Sequence, residues 1–194
     1  VEKQSVSKSM LAIRMSDIVI LVLDSTDKLN KQDLILAKRA IDYGKSIIIS
    51  LNKWDLIEDK INLKRDLSEK IKISLSQLND VKILPTSGFK IYGIDKLLED
   101  IISVYDNSHN RISTSDLNKW FKFLLEKHPA PMVKGKKNSL KYISQVEVLP
   151  PRFIIFCSYP KDIPSSYVKY IKNNLKKAFN FKGVNIVINL KKTL

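Results

Sequence analysis

The 194-residue chain contains little cysteine, histidine or glycine, and it lacks a long apolar run. A single cysteine, Cys157, excludes an intrachain disulfide and a zinc site built from several cysteines. The chain has only two histidines, which makes a metal-dependent enzyme improbable. The longest aliphatic run covers residues 18–23, whereas a membrane-spanning helix needs roughly 20 residues. These absences favour a cytoplasmic protein that contacts neither a membrane nor a metal ion.

Acidic residues are scarce in the C-terminal part of the chain. Residues 1–110 contain 17 basic and 16 acidic side chains, whereas residues 111–194 contain 17 basic and only 4 acidic ones. A general bias toward lysine would act on both parts alike and does not explain this contrast. Concentrated positive charge favours nucleic acid as a partner, through Coulomb attraction and counterion release. A solvated basic surface and an acidic protein partner are the alternatives.

The first part of the chain alternates predicted strands and helices. Short apolar runs rich in β-branched residues, at 18–23, 46–51 and 81–84, predict strands buried on both faces of a parallel sheet. Helical spacing predicts amphipathic helices at 32–43, with Gly44 as C-cap, and at 95–105. Strands separated by helices indicate an α/β fold.

A polar segment without periodicity, residues 106–110, coincides with the change in charge. We therefore predict a first domain over residues 1–110 and a second over residues 111–194. Hydrophobic spacing in the second predicts the order α-β-β-α-β. The predicted elements are a helix from 113–115 to about His128, strands at 140–149 and 152–159, a helix opened by Pro164, and a closing strand at 184–190.

The tetrapeptide Asn52-Lys53-Trp54-Asp55 directly follows the second predicted strand. Ligands of open α/β sheets bind beyond the carboxyl ends of the strands. The Asp55 carboxylate suits guanine, since it can accept hydrogen bonds from the ring N1–H and the exocyclic 2-amino group together. Adenine offers neither donor, and a buried unpaired acceptor costs about 1–3 kcal/mol, more when charged. Lys53 can lay its alkyl stem over the base, and Asn52 can contact the base edge or brace a neighbouring loop.

A second loop is predicted to reach the same place. The third strand delivers Thr86-Ser87-Gly88, whose backbone amides are expected to approach the O6 oxygen of the base. Two loops converging from strand ends favour a purine pocket. The alternative is an ordinary loop, with an Asx-turn at Asn52 and a helix N-cap at Asp55.

Five segments resemble the second GTPase domain of the bacterial Der (EngA) family: VEKQSV at 1–6, DIVILVLD at 17–24, QDL at 32–34, NKWDL at 52–56 and GIDKLL at 93–98. Three more resemble the KH-like domain of that family: NRISTSDLN at 110–118, HPAP at 128–131 and PPRF at 150–153. The resemblance spans essentially the whole chain. It implies a truncated P-loop-type GTPase domain, a parallel sheet with helices, followed by an α+β KH-like domain.

The resemblance also implies a function. Asn52, Lys53 and Asp55 match the family's guanine-specificity motif, and Ser87-Gly88 match its Ser-Ala loop, which supplies a backbone amide to O6. The implied parent protein is a GTP hydrolase that binds GTP or GDP with Mg²⁺. Its implied partners are the large ribosomal subunit and its rRNA, which it contacts as a monomer during assembly. A non-enzymatic RNA-binding module with an α/β scaffold is the alternative.

The phosphate end of a GTPase site is missing from the 194 residues. Neither G-x-x-x-x-G-K-[ST] nor D-x-x-G occurs. Gly88 and Gly93 have the right separation, but Ile94-Asp95 follow and no lysine is present. We therefore expect a C-terminal fragment that carries no catalytic residue and no Mg²⁺ ligand and is inactive alone. Cys157, in an apolar run, is expected in the core.

Lysines of the second part are the candidates for RNA contact. Lys169, Lys172 and Lys176 form a row about 100° around the last helix from its apolar stripe. Lys134, Lys136 and Lys137 form a basic loop. The G-x-x-G clamp of KH domains is absent, so charge rather than sequence-specific reading carries this prediction. Trp120 and Phe121 are expected in the core rather than as stacking platforms.

Overall fold

A computed structural model describes residues 2–27, 29–75, 81–132, 135 and 138–193, with side chains from residue 8 onward. These residues form two compact units. Unit 1 comprises the chain up to Asp106 together with Lys182–Asn185, and unit 2 comprises Asn107–Phe181 together with the chain from Ile186. The segment 106–110 is not simply an extended linker, because the helix before it continues to Ser108.

Unit 1 is an α/β structure in which strands and helices alternate. Its elements are α1 (Glu2–Met15), β1 (Ile18–Asp24), α2 (Lys31–Asp42), β2 (Ser46–Asn52), α3 (Lys60–Ser74), β3 (Lys82–Pro85) and α4 (Ile94–Ser108). The strands form a parallel sheet in the order β1-β2-β3. This confirms the three predicted strands and the fold class.

The central strand β2 holds the core of unit 1. Ile47, Ile49 and Leu51 are fully buried, and Leu67 and Ile71 of α3 belong to the same apolar cluster. Burial on both faces explains why β2 is a nearly continuous apolar run.

Local signals set the helix ends in unit 1. The Asn30 side chain accepts the backbone N–H of Gln32 at 3.1 Å and so caps α2. The C-cap of α2 is Tyr43 rather than the predicted Gly44, which follows it with a φ of +79°, the left-handed conformation that favours glycine just past a helix C-cap. Asp59 caps α3 by accepting the N–H of Asn62 at 3.2 Å.

Unit 2 has the predicted order α-β-β-α-β. Its elements are α5 (Thr114–Lys127), β4 (Leu140–Glu147), β5 (Arg152–Cys157), α6 (Ser165–Ala178) and β6 (Val187–Lys192). β4 and β5 are antiparallel, whereas β5 and β6 are parallel. Phe121 and Cys157 are fully buried, which confirms that both are core residues, whereas Trp120 is half-buried.

The closing strand is shorter than predicted. β6 begins at Val187, and residues 184–186 are buried without strand pairing. The physical reason lies at Asn185, which belongs to unit 1. Its N–H donates to Ser46 Oγ at 3.1 Å and its side-chain amide donates to the Ile41 carbonyl at 3.0 Å. These donors are therefore used outside the ladder of unit 2.

Among the described residues, every helix is too short or too polar to cross a membrane.

Candidate functional site

The three strands of unit 1 end at one edge of the sheet. Asp24 of β1 lies beside Asn52 of β2, and Leu51 lies beside Pro85 of β3. The loops after β2 and β3 border a cleft of about 530 Å³. Its lining residues are Asn52, Lys53, Asp55, Leu56, Ser87, Gly88, Phe89 and Lys90. All five residues predicted for base recognition therefore line one cleft, together with Leu56, Phe89 and Lys90, which the sequence did not single out.

Backbone hydrogen bonds hold the two loops together. The Thr86 N–H donates to the Leu51 carbonyl at 2.8 Å, and the Trp54 N–H donates to the Thr86 carbonyl at 3.0 Å. Beneath them, the buried hydroxyls of Ser50 and Thr86 lie 2.6 Å apart. The cleft is thus built on strand ends that are fixed to each other, and its shape does not depend on a free loop.

Asn52 braces the neighbouring loop. Its side-chain carbonyl accepts the backbone N–H of Gly88 at 3.0 Å. The Ser87 N–H also has a partner, the Tyr92 carbonyl at 2.9 Å. The sequence left two roles open for Asn52, contact with the base edge and bracing of a neighbouring loop. The structure shows the bracing role, and the Asx-turn alternative does not describe this geometry. All three amides expected near O6, those of Thr86, Ser87 and Gly88, already donate within unit 1.

Lys53 is held in one direction by Asp24. The backbone of Lys53 is left-handed, with φ 59° and ψ 31°, and its ammonium lies 2.5 Å from Asp24 Oδ2. This pairing lowers the pKa of Asp24 from its ordinary value of 3.8 to about 2, with further help from hydrogen bonds of Thr26. The same contact raises the pKa of Lys53. Sequence reasoning missed Asp24, although its place at the end of a neighbouring parallel strand was a usable signal.

Asp55 lines the cleft. It lies in the middle of a short 3₁₀ turn (Trp54–Leu56) whose first residue, Trp54, is buried and anchors the turn. Asp55 is half-buried, and no residue in the described part of the chain donates a hydrogen bond to its carboxylate or forms an ion pair with it. The N-cap alternative is wrong, because Asp59 caps the following helix.

The loop after β3 adopts unusual backbone conformations. Ser87 and Tyr92 form a reciprocal pair of backbone hydrogen bonds, and between them Ile91 has a φ of +54°. A β-branched residue is strained in this region. Gly93 has a φ of +73°, and a Cβ there would collide with the Pro85 carbonyl oxygen. The close approach of Gly93 to β3 therefore fixes where the loop returns to the sheet.

The candidate lysines of unit 2 do not form one exposed row. On α6, Lys169 is exposed and Lys172 is half-buried, but only 9% of Lys176 is exposed. The prediction of an exposed Lys176 is therefore wrong. Just beyond α6, the Phe181 N–H donates to the Lys176 carbonyl at 3.0 Å. Lys134, Lys136 and Lys137 lie outside the described residues.

Among the acidic, histidine and cysteine side chains of the described ranges, no group of three or more is arranged to hold a metal ion.

Two protein families match the two halves of the chain. Residues 4–107 match the elongation factor Tu GTP-binding domain, and residues 111–191 match the KH-domain-like C-terminal region of EngA bacterial GTPase enzymes. With the strand-end cleft, these matches define the class: a GTP-binding domain of the elongation factor Tu type joined to a KH-like unit.

Relatives narrow this class further. GTPase Der of Brucella melitensis biotype 2 is 41% identical over 190 residues, which are 98% of this chain and 39% of the relative. GTPase Der of Bartonella bacilliformis is 40% identical over 190 residues, 98% of this chain and 40% of the relative. A crystal structure of Era in complex with MgGDPNP and nucleotides 1506–1542 of 16S ribosomal RNA gives a TM-score of 0.43 at 14% identity, over 94% of this chain and 67% of that chain.

The chain therefore belongs to the family of the elongation factor Tu GTP-binding domain, and its C-terminal part is similar to the KH-like domain of EngA GTPases. It spans about 39% of the length of the curated relatives that it matches.

Proposed function

We propose that unit 1 recognises the guanine base of GTP or GDP for a GTPase of the Der family. The observation that carries this proposal is the half-buried Asp55 carboxylate, which lines the cleft without a partner among the described residues. Once a bound base excludes water from it, such a carboxylate is costly to leave unpaired. Guanine supplies two donors on one edge and satisfies it, whereas adenine supplies neither.

The other cleft residues have complementary roles in this proposal. The Lys53 stem, held by Asp24 at 2.5 Å, covers one face of the base. The Gly88 N–H, which donates to Asn52 Oδ1 at 3.0 Å, is shared with the base O6 when guanine enters. Ser87 holds the loop through its hydroxyl, which accepts the Lys90 N–H at 3.0 Å. Base recognition thus requires one hydrogen bond to be shared.

GTP hydrolysis is proposed for the whole protein rather than for these 194 residues. They contain neither G-x-x-x-x-G-K-[ST] nor D-x-x-G, the sequences that cradle phosphates and help hold Mg²⁺. We therefore propose that this chain alone binds nucleotide weakly and does not hydrolyse it. Fluorescent GDP titrated into the chain is expected to show no saturable binding in the micromolar range. Tight, Mg²⁺-dependent binding would contradict this part of the proposal.

For the basic C-terminal part, we propose contact with rRNA of the large ribosomal subunit during its assembly in the cytoplasm. The excess of 17 basic over 4 acidic side chains in residues 111–194 supports it. Lys169 and Lys172 on α6 remain proposed contacts, as do Lys134, Lys136 and Lys137. We also propose that residues 1–110 recognise the base, that residues 111–194 contact the RNA, and that the protein acts as a monomer.

Nucleoside titration followed by amide NMR tests the base site without the missing phosphate contacts. Guanosine at millimolar concentration is expected to shift the amides of Asn52, Asp55 and Gly88, whereas adenosine is not. Asp55→Asn should remove most of the response, and Asp95→Asn, an exposed carboxylate on α4 outside the cleft, should keep it. Equal shifts with both nucleosides would contradict guanine recognition.

The alternative is a non-enzymatic RNA-binding module with an α/β scaffold. One observation favours it: the Ser87 and Gly88 amides are already paired within unit 1. Under this alternative, guanosine causes no shift at the cleft while salt-sensitive RNA binding is intact.

A further inference from the structure

The sheet of unit 2 has one buried and one open face. Along β5, Phe153, Ile155 and Cys157 are fully buried, whereas the alternate residues Ile154 and Phe156 are only half-buried. The buried stripes of α5 and α6 contribute to the same core. Side chains of a strand alternate between the two faces, so Ile154 and Phe156 lie on the face opposite this core.

Two aromatic rings lie together on the open face. Tyr142 of β4 is directly opposite Phe156 of β5, and their ring centroids are 4.3 Å apart with an interplanar angle of 16°. Tyr142 is 43% exposed. Among the described strands, β4 pairs with β5 alone and so lies at the sheet edge. The side of the Tyr142 ring turned away from Phe156 is therefore accessible to a third planar group.

Polar and cationic side chains flank the two rings. In the parallel pairing of β5 and β6, Phe156 is aligned with Lys191, and Ile154 is aligned with Asn189. Both Lys191 and Asn189 are exposed. Aligned residues of neighbouring strands lie on the same face, so a cation and an amide border the aromatic pair.

We propose that this surface, the stacking face (Tyr142, Phe156, Asn189 and Lys191), binds unpaired bases of RNA. One base continues the stack on Tyr142, and Lys191 meets a nearby phosphate. Base–aromatic stacking is tolerant of sequence and works for single strands, because duplex RNA keeps its bases inside its own stack. This proposal rests on the RNA-binding part of the proposed function and names the part of RNA that is bound.

Charge argues for nucleic acid rather than a protein as the occupant. An aromatic pair with apolar neighbours could equally cover an apolar protein surface. However, residues 111–194 carry 17 basic and only 4 acidic side chains, and a cation stands beside the rings. Polyanions carrying flat bases complement both features.

Abasic RNA separates stacking from charge. The full 194-residue chain is titrated with a short oligonucleotide of A and U, with an abasic oligonucleotide of the same length, and with a blunt-ended A/U duplex. The absence of guanine keeps the cleft of unit 1 out of the measurement. The wild-type chain should bind the A/U oligonucleotide about 5- to 150-fold more tightly than the abasic one for each stacked base.

Tyr142→Leu should remove the preference for the A/U oligonucleotide over the abasic one, while salt-sensitive binding of the abasic RNA and the duplex persists. Phe156→Leu should weaken the same preference. Tyr142→Phe should keep it, since the ring remains. Tyr159→Leu is the matched control, because Tyr159 is 41% exposed in the same unit but lies outside the stacking face.

Equal affinity of the wild-type chain for the A/U and abasic oligonucleotides would overturn the stacking face and leave the charge-based proposal standing. A preference that survives Tyr142→Leu would overturn it as well. Failure of all three RNAs to bind at low salt would overturn the RNA-binding part of the proposed function together with this inference.

Discussion

The side-chain carbonyl of Asn52 accepts the backbone N–H of Gly88 at 3.0 Å, across two loops that are 36 residues apart in sequence. This bond joins the end of β2 to the loop that follows β3. It places the proposed base-recognition residues around one cleft before any base is present.

Removing this bond should loosen the loop after β3. Asn52→Ala is expected to lower the free energy of unfolding by about 1 kcal/mol, the usual net value of one hydrogen bond, and to speed hydrogen exchange at the Gly88 amide. Asn30→Ala is the control, since it removes the cap of α2 at a similar cost without touching this loop. Unchanged exchange at Gly88 in Asn52→Ala would show that the brace does not hold the loop.

The Asp24–Lys53 pair should be visible as a pH dependence. The pKa of Asp24 is lowered from 3.8 to about 2, so the pair's contribution to stability is complete above pH 3.8 and is lost as the pH falls through 2. In Lys53→Met, the Asp24 midpoint should rise toward 3.8, as followed by carboxyl NMR titration. Lys90→Met, which changes another lysine of the cleft, should leave the midpoint near 2. The same low midpoint in Lys53→Met would contradict the pairing.

Ile91 is a strained residue whose replacement should stabilise the protein. Its φ of +54° suits glycine, and its side chain is 77% exposed, so Ile91→Gly sacrifices little burial. We expect the free energy of unfolding to rise by about 1 kcal/mol. Relief of the left-handed strain raises it, and the greater conformational entropy of glycine in the unfolded chain offsets part of that gain. Ile73→Gly, equally exposed at 77% but within α3, should instead cost about 1 kcal/mol. Thermal or urea unfolding checks both, and a destabilised Ile91→Gly would contradict the strain.

A largely buried ion pair stabilises unit 1 beside β3. Lys82 Nζ lies 2.6 Å from Asp100 Oδ1, and Asp100 is only 5% exposed. Asp100→Asn should cost about 3 kcal/mol in urea unfolding, because it leaves the Lys82 charge without its partner. Glu99→Gln, which breaks the exposed pair with Lys96, should change stability by less than about 0.5 kcal/mol. Equal costs for the two substitutions would show that burial does not matter here.

Features that depend on local pattern could be predicted from the sequence. β2 is apolar on both faces, so its run predicts a buried strand, and the polar tetrapeptide after it marks the cleft. The hydrophobic spacing alone does not predict α1 and α3, since each buries only a few side chains, such as Ile13 of α1 and Leu67 and Ile71 of α3.

Features that depend on distant contacts could not be predicted. The burial of Lys176 is not indicated by the helical spacing of α6, which places this lysine beside the apolar stripe. The Tyr142–Phe156 stack requires the pairing of β4 with β5. No local pattern specifies the alignment of these two strands.

Base discrimination at Asp55 tests the central claim most directly. Guanosine, inosine and adenosine differ at the edge that Asp55 is proposed to contact. Inosine lacks the 2-amino group, and adenosine lacks both the 2-amino group and the N1–H. Affinities from amide NMR titration should fall in that order for the wild-type chain, and Asp55→Asn should abolish the advantage of guanosine over inosine. An Asp55→Asn chain that still prefers guanosine would contradict the account.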